Sequence, residues 1–243
     1  MLLLDAGNSR LKWAWAEDAA WRDRGLLDIG QIESLGQALA HLPAPPRILA
    51  ANVAGPAVAQ HIQAACARWE TKVEFVRAAP AQCGVRNAYR RAEQLGSDRW
   101  AALIAAWDRQ RAPCLVVNCG TATTVDALSA AGEFRGGLIL PGLAMMRRSL
   151  AAGTAQLDAA PGIWEDFPRS TENAVYSGAI QATVGAIVQQ HALLREPGAV
   201  CLLDGGAAGE VAPHLGVPVA RVEDLVLRGL QLISRETGGN LDS

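Results

Sequence analysis

An apolar run that ends in a polar residue, one further residue, a glycine and then hydroxyl or amide side chains occurs twice in this 243-residue chain. The first copy, LLLDAGNSRLKW, starts at Leu2, and the second, LVVNCGTATTVDAL, spans residues 115–128, with Asn118 standing where the first copy has Asp5. In both copies a second β-favouring run follows the turn at once, so the pattern reads as a β-hairpin opening each half of the chain. A dinucleotide-binding turn needs G-x-G-x-x-G opening a helix, and a P-loop needs G-x-x-x-x-G-K-[ST]; DAGNSR meets neither requirement. A phosphate held here would be held by a hairpin turn. Asn and Gly also supply the positive φ of ordinary hairpins, so the recurrence carries the functional reading and neither copy does so alone.

Around these hairpins, short apolar runs at 1–4, 11–16, 47–53, 73–77, 115–117, 124–128, 136–140 and 199–203 predict strands. Ala and Leu at spacings of three and four predict helices at 34–42, 56–69, 97–110, 142–152, 172–194 and 222–235. This alternation predicts an α/β fold. Arg111–Pro113 follows a long helix and marks the expected boundary, giving a first domain over 1–112 and a second over 113–243.

Half of the residues are apolar, enough for a sizeable core, and the formal net charge of −2 offers no broad basic field for nucleic acid. An acidic residue at position 5 without a basic flank argues against a signal peptide, and no apolar stretch reaches membrane-spanning length, so a cytoplasmic protein is expected. The five cysteines, Cys66, Cys83, Cys114, Cys119 and Cys201, contain no C-x-x-C pair and read as reduced and mostly buried. His41, His61, His191 and His214 are scattered and predict no transition-metal site. Most tryptophans are expected in the core. Lys12, one of only two lysines, lies just after the first glycine turn.

The segment LGSDRWAALIAAW at 95–107 places Ser97 and Asp98 at the start of an amphipathic helix, where a carboxylate is favoured both as a cap and by the helix dipole. Arg99 beside it could hold an anionic substrate, and Gly96 would let backbone approach closely. Phosphoryl transfer needs alignment, charge neutralisation and a carboxylate to take the proton of the attacking hydroxyl. Asp98 fits the last task, and Asp5 fits Mg²⁺, held directly or through water. Backbone N–H groups at 7–9 and 120–121, with the hydroxyls of Ser9, Thr121 and Thr123, are candidate phosphate ligands. A third glycine turn, LLDGGAAG at 202–209, follows another strand and precedes a short helix, and could admit a flat base or be a plain connection.

Six segments in order, DAGNSRLK at 5–12, GVRNAY at 84–89, LGSDRWAA at 95–102, NCGTATTVD at 118–126, GGLILPG at 136–142 and TENAVYSG at 171–178, make the chain resemble the type III pantothenate kinases, the family related to the Bvg accessory factor. The resemblance covers nearly the whole chain. It implies two actin-like (ribonuclease H-like) halves of the acetate kinase, sugar kinase, Hsp70 and actin superfamily, with an interdomain cleft. It also implies ATP-dependent phosphorylation of pantothenate to 4′-phosphopantothenate, the first step of coenzyme A biosynthesis, in a homodimer.

Carried over by position, the resemblance makes Asp5, Ala6, Gly7, Asn8, Ser9, Arg10, Leu11 and Lys12 the first ATP phosphate turn, with Gly120 and Thr121 as further ATP contacts. It makes Asp98 the proton acceptor and Tyr89, Gly96, Ser97, Asp98, Arg99 and Thr171 pantothenate contacts. Family members usually carry Asp at the position of Asn118, as a ligand for an activating monovalent cation, K⁺ or NH₄⁺. The amide here predicts a weaker cation dependence, or a site completed by another group. Two further readings are a kinase for another small anionic alcohol and a ligand-binding regulator without catalysis.

Overall fold

The computed structural model describes residues 1–17, 20–153 and 161–238. The chain divides into two compact units, the first formed by Met1–Gln110 with Asp224–Ser243 and the second by Arg111–Glu223.

The first unit opens with β1 (Leu2–Ala6), β2 (Arg10–Glu17) and β3 (Ala20–Asp28), an antiparallel meander. After a 3-10 segment come α1 (Leu35–Ala38), β4 (Ile48–Asn52), α2 (Pro56–Cys66) and β5 (Val73–Phe75). Strands β4 and β5 run parallel to β1, giving the order β3-β2-β1-β4-β5. Alternation sends Leu2, Leu4, Ala6, Leu11, Trp13, Ile48 and Ala50 to one face, where they form a core with Leu35, Leu39 and Ile62. Each of these large apolar side chains contributes about 1.5–3 kcal/mol on burial. A short hairpin, β6 (Ala81–Gln82) with β7 (Val85–Asn87), then leads to α3 (Ser97–Gln110).

In the second unit β8 (Cys114–Cys119), β9 (Ala122–Leu128) and β10 (Glu133–Pro141) form another antiparallel meander. Helices α4 (Leu143–Gly153) and α5 (Thr171–Leu194) precede β11 (Val200–Asp204), parallel to β8. A short α6 (Ala208–Val211) then leads to β12 (Val219–Arg221), parallel to β11. Leu115, Val117, Cys119, Val125 and Ala127 pack with Ile180 and Ile187 of α5. Among the strands of the second unit the order β10-β9-β8-β11-β12 repeats that of the first unit strand for strand, so the twin hairpins of the sequence open sheets of matching order.

The last element, α7 (Leu225–Gly238), belongs to the first unit and corrects the contiguous division at 112/113. It packs on α3 and against β1, β2 and β4, burying Leu225, Val226, Leu227, Leu230 and Ile233. A Cβ on Gly229 would collide with the carbonyl of Ala101, a measure of how closely the two helices cross. The 34–42 helix is reduced to a 3-10 segment and the single turn of α1, and β3, β6, β7 and β12 were not anticipated. Four of the five cysteines are buried, and all five are free thiols. Trp13, Trp15, Trp69, Trp100 and Trp107 are core residues, as expected. Among the described residues no helix is long and apolar enough to cross a membrane.

Candidate active site

In the first unit, three chain segments meet at the C-terminal ends of β1 and β4. The turn after β1 is closed by the Gly7 N–H donating to the Arg10 carbonyl (3.0 Å), leaving Asn8, Ser9 and Arg10 exposed. In the antiparallel register Asp5 lies opposite Lys12, and in the parallel register Ala6 lies beside Asn52. The Asn52 N–H donates to the Ser97 hydroxyl (3.2 Å), which ties the end of β4 to the first residue of α3. The Asn52 side chain closes its own loop, accepting from the Ala54 N–H (2.9 Å) and donating to the Gly55 carbonyl (2.9 Å). Asn52 was not singled out in the sequence; the only signal was a strand ending in Asn ahead of Gly55-Pro56.

Asp98 is half-buried, and its Oδ1 accepts the Arg99 backbone N–H at 2.8 Å. A Cβ built on Gly96 would stand 2.5 Å from that same oxygen, so the carboxylate occupies space that only glycine leaves open. Burial pushes the Asp98 carboxyl above its usual range, while the Arg99 N–H and guanidinium charge hold it partly down. Arg99 is buried; its Nη1 donates to the Tyr89 hydroxyl (3.1 Å), and the guanidinium lies 5.8 Å from the Tyr89 ring centre. Asn87 Oδ1 accepts the Tyr89 N–H (3.0 Å), so the GVRNAY and LGSDRW segments form one arrangement of Asn87, Tyr89, Asp98 and Arg99.

The 5–12 segment does not act as one surface. The side chains of Ala6 and Leu11 are fully buried in the core, so only their backbone can face a ligand. Arg10 is exposed and lies 3.7 Å from Asp28. Lys12 Nζ donates to Asp224 Oδ1 at 2.8 Å.

In the second unit, the Gly120 N–H donates to the Ala122 carbonyl (3.1 Å), and the Gly142 N–H donates to the Thr121 carbonyl (3.0 Å). The Ala207 N–H donates to the Cys119 carbonyl (3.0 Å), bringing the LLDGGAAG turn alongside. Gly205 has φ +97°, and a Cβ there would lie 2.5 Å from Asn118 Oδ1 and 2.6 Å from the Cys119 carbonyl. Asn118 sits in register with Asp204 on the neighbouring strand and with Thr124 across the hairpin. Thr123 is completely buried and in register with Cys119, so its hydroxyl faces the core and is withdrawn as a phosphate ligand. Thr171 is exposed at the first position of α5, after Ser170, whose hydroxyl accepts the Asn173 N–H (3.3 Å). The rest of the TENAVYSG segment is structural: Asn173 Oδ1 accepts the Ile163 N–H (3.0 Å) and the Ser177 hydroxyl accepts the Glu165 N–H (3.0 Å), pinning the preceding loop.

Among the described residues no three His, Cys, Asp or Glu side chains gather as a metal cage. The oxygen donors present, one carboxylate at Asp5 in the first unit and an amide beside a carboxylate at Asn118 and Asp204 in the second, suit hard cations that keep water or share phosphate oxygens.

A family model described as type III pantothenate kinase matches residues 1–192. A type III pantothenate kinase of Aromatoleum aromaticum is 46% identical over 237 residues, covering 97% of this chain and 98% of that protein. Among solved structures, a Campylobacter jejuni protein assigned to the Baf family of transcriptional activators is similar with a TM-score of 0.63 at 22% identity, over 98% of this chain and 100% of that one. A Sinorhizobium meliloti protein assigned as a 2-dehydro-3-deoxygalactonokinase gives a TM-score of 0.62 at 14% identity, over 96% of this chain and 98% of that one. The two structural likenesses show that this α/β fold is shared over nearly the full length of each chain. With its length matched almost end to end, the chain belongs to the type III pantothenate kinase family.

Proposed function

We propose that this kinase transfers the γ-phosphoryl group of ATP to the primary hydroxyl of pantothenate, giving 4′-phosphopantothenate as the first step of coenzyme A biosynthesis, with Asp98 as the proton acceptor. The observation that supports it best is the joint placement of Asp98, Arg99 and Tyr89 at the start of α3, tied through Ser97 and Asn52 to the strand end that carries Asp5. Asp98 takes the proton of the attacking hydroxyl, a task that a carboxylate with an upward-shifted pKa performs better than an ordinary one. Arg99, held by Tyr89, binds the pantothenate carboxylate, and Gly96 and Ser97 line the same substrate site. Thr171 is a further pantothenate contact.

The N–H groups of Asn8, Ser9 and Thr121 donate to phosphate oxygens, while those of Gly7 and Gly120 are taken by the Arg10 and Ala122 carbonyls and shape the two turns. Asp5 holds Mg²⁺, directly or through water. When bound, Mg²⁺ neutralises charge on the phosphate oxygens. Asn118 and Asp204 hold a monovalent cation, Asp204 supplying the formal charge that the amide lacks. The enzyme works as a cytoplasmic homodimer. Large exposed apolar side chains of the second unit, Ile139, Met145, Leu150, Ile163 and Phe167, support self-association. A ligand-binding regulator would leave the upward-shifted Asp98 without a task.

The deciding experiment incubates purified protein with ATP, Mg²⁺ and pantothenate and follows ADP and phosphopantothenate, alongside a panel of other small hydroxy acids. Turnover confined to pantothenate is the expected result. Faster turnover of another acceptor would reassign the substrate.

A further inference from the structure

Lys12 is tied to a residue more than two hundred positions away in sequence. Its Nζ lies 2.8 Å from Asp224 Oδ1, and the other oxygen of Asp224 lies 3.6 Å from Arg24 Nη1. All three belong to the first unit. Lys12 stands opposite Asp5 on β1 and opposite Leu26 on β3, and Arg24, two residues before Leu26, shares its face of the sheet. Asp224 directly precedes α7, with φ +57°, a conformation that Asp tolerates better than most residues. Its carbonyl accepts the Arg228 N–H at 3.0 Å, so the start of α7 fixes where the carboxylate stands. The Asp224 side chain is 16% exposed against 37% for Lys12: the anchor is the better buried partner.

We propose that Asp224 is a positioning residue for nucleotide binding: it holds the Lys12 ammonium beside Asp5 so that the lysine meets the ATP phosphates already ordered. The role given to Asp224 rests on the assignment of the 5–12 turn to phosphate. A free lysine side chain loses rotamer freedom when a ligand immobilises it, equivalent to a factor of about ten to thirty in binding. A residue that orders it beforehand recovers part of that factor. An ammonium has three donors that rotate together, so the group that holds Asp224 can also turn a donor to a phosphate oxygen when nucleotide binds. Asp224 alone would cancel the charge of Lys12. Arg24, 3.6 Å from the other oxygen, offsets the charge that Asp224 adds, so the ammonium is anchored without a net gain of negative charge at the turn. Lysine suits the position because its charge is compact and its donors rotate, so it can hold its anchor and a phosphate together.

The test compares the full-length protein with Asp224→Asn, Asp224→Glu, Lys12→Gln, the double variant Asp224→Asn/Lys12→Gln, and Arg24→Gln. ATP is varied at saturating pantothenate in about 0.15 M salt, and ATP binding without pantothenate is followed by calorimetry. Asp224→Asn is expected to raise the KM and Kd for ATP about five- to twentyfold, with kcat and the pantothenate KM changed less than about twofold. Asp224→Glu should recover most of the loss, and the double variant should be no weaker than Lys12→Gln alone. Should Asp224→Asn melt too early to assay, Arg24→Gln decides, because the exposed arginine can be lost without disturbing α7. It should weaken ATP binding about two- to fivefold and flatten its salt dependence. Unchanged or tighter ATP binding in Asp224→Asn, or no effect of Arg24→Gln, overturns the proposal; tighter binding would make Asp224 a competing anion. If Lys12→Gln leaves ATP binding unchanged, the phosphate assignment falls and takes this role with it. If Lys12→Gln weakens binding and Asp224→Asn does not, only the role of Asp224 falls.

Discussion

Replacing Asp98 with Asn removes the proton acceptor while keeping nearly every contact. The amide oxygen can still accept the Arg99 N–H, now 2.8 Å from Oδ1, and the side-chain volume over Gly96 is unchanged. General-base catalysis by a positioned side chain contributes about 10²- to 10⁴-fold, or about 2.7–5.4 kcal/mol at 1.36 kcal/mol per tenfold. kcat should fall by that factor, with the ATP KM little changed. Stability should move the other way. Burial raises the folded-state pKa of Asp98, so the group favours the fold while protonated, and that contribution fades as pH rises through the raised value. At neutral pH the ionised carboxylate is therefore a burden on the fold, and Asp98→Asn should melt at the same temperature as the wild type or slightly above. The same shift places the acid limb of kcat/KM above the ordinary carboxylate value of 3.8, and the variant should lose that limb. Coupled measurement of ADP release over pH 4.5–9, with thermal melts of both proteins, gives all three quantities. A variant retaining kcat within about tenfold would refute Asp98 as the base, and one that melts well below wild type would refute the argument that its ionised form burdens the fold.

Gly96→Ala should push the Asp98 carboxylate aside, because the new methyl would stand 2.5 Å from Oδ1; a displacement of about 1 Å can lower kcat by up to about 10²-fold. A thermal melt near that of the wild type would assign the loss to geometry. Arg99→Gln, by removing the guanidinium held to Tyr89 at 3.1 Å, should raise the pantothenate KM by about tenfold or more; an unchanged KM would exclude Arg99 from carboxylate binding. Titrating K⁺ or NH₄⁺ against turnover should show a shallow dependence, and complete loss of activity in Na⁺-only or Tris-only buffer would contradict that expectation.

Most of the fold was legible because core positions of sheet and helix carry period: the leucines of β1, the Leu and Val run of β8 and the alanines of α3 are all buried. What was missed has little local signal. Strand β3 alternates half-buried and exposed residues across charged AWRDRGLLD, so its strand character comes from pairing with β2. Strands β6 and β7 are two and three residues long and turn through Cys83 and Gly84, both at positive φ. The return of α7 to the first unit is a tertiary fact that no window of sequence contains. The same holds at the candidate site. Asp98, Arg99 and Asp5 stood out by residue type and spacing, whereas Asn52 and Asp224 matter through partners 45 and 212 residues away. Thr123 shows the opposite error, since its hydroxyl looked like a ligand until strand parity turned it to the core.

Strand parity also changes what the missing carboxylate at 118 means. In the first unit the strand-end carboxylate is Asp5, and its parallel neighbour on β4 is Ala51. In the second unit the equivalent strand carries Asn118, and the parallel neighbour on β11 is Asp204. Each sheet thus has a single carboxylate at this pair of positions, carried on different strands. An Asp at 118 would stand in register with Asp204 on a strand about 4.8 Å away, where two carboxylates repel by about 3 kcal/mol at an effective dielectric of 20, before screening. A cation between them would relieve that repulsion, and the amide relieves it without one. Asn118→Asp should therefore create a cation requirement that the wild type has in weaker form. Without K⁺ the variant should melt several degrees lower, at about 2–4 °C per kcal/mol, and turn over more slowly; added K⁺ should restore both, leaving the wild-type melt nearly unmoved. Equal K⁺ responses in the two proteins would show that the charge at 118 does not set the cation demand.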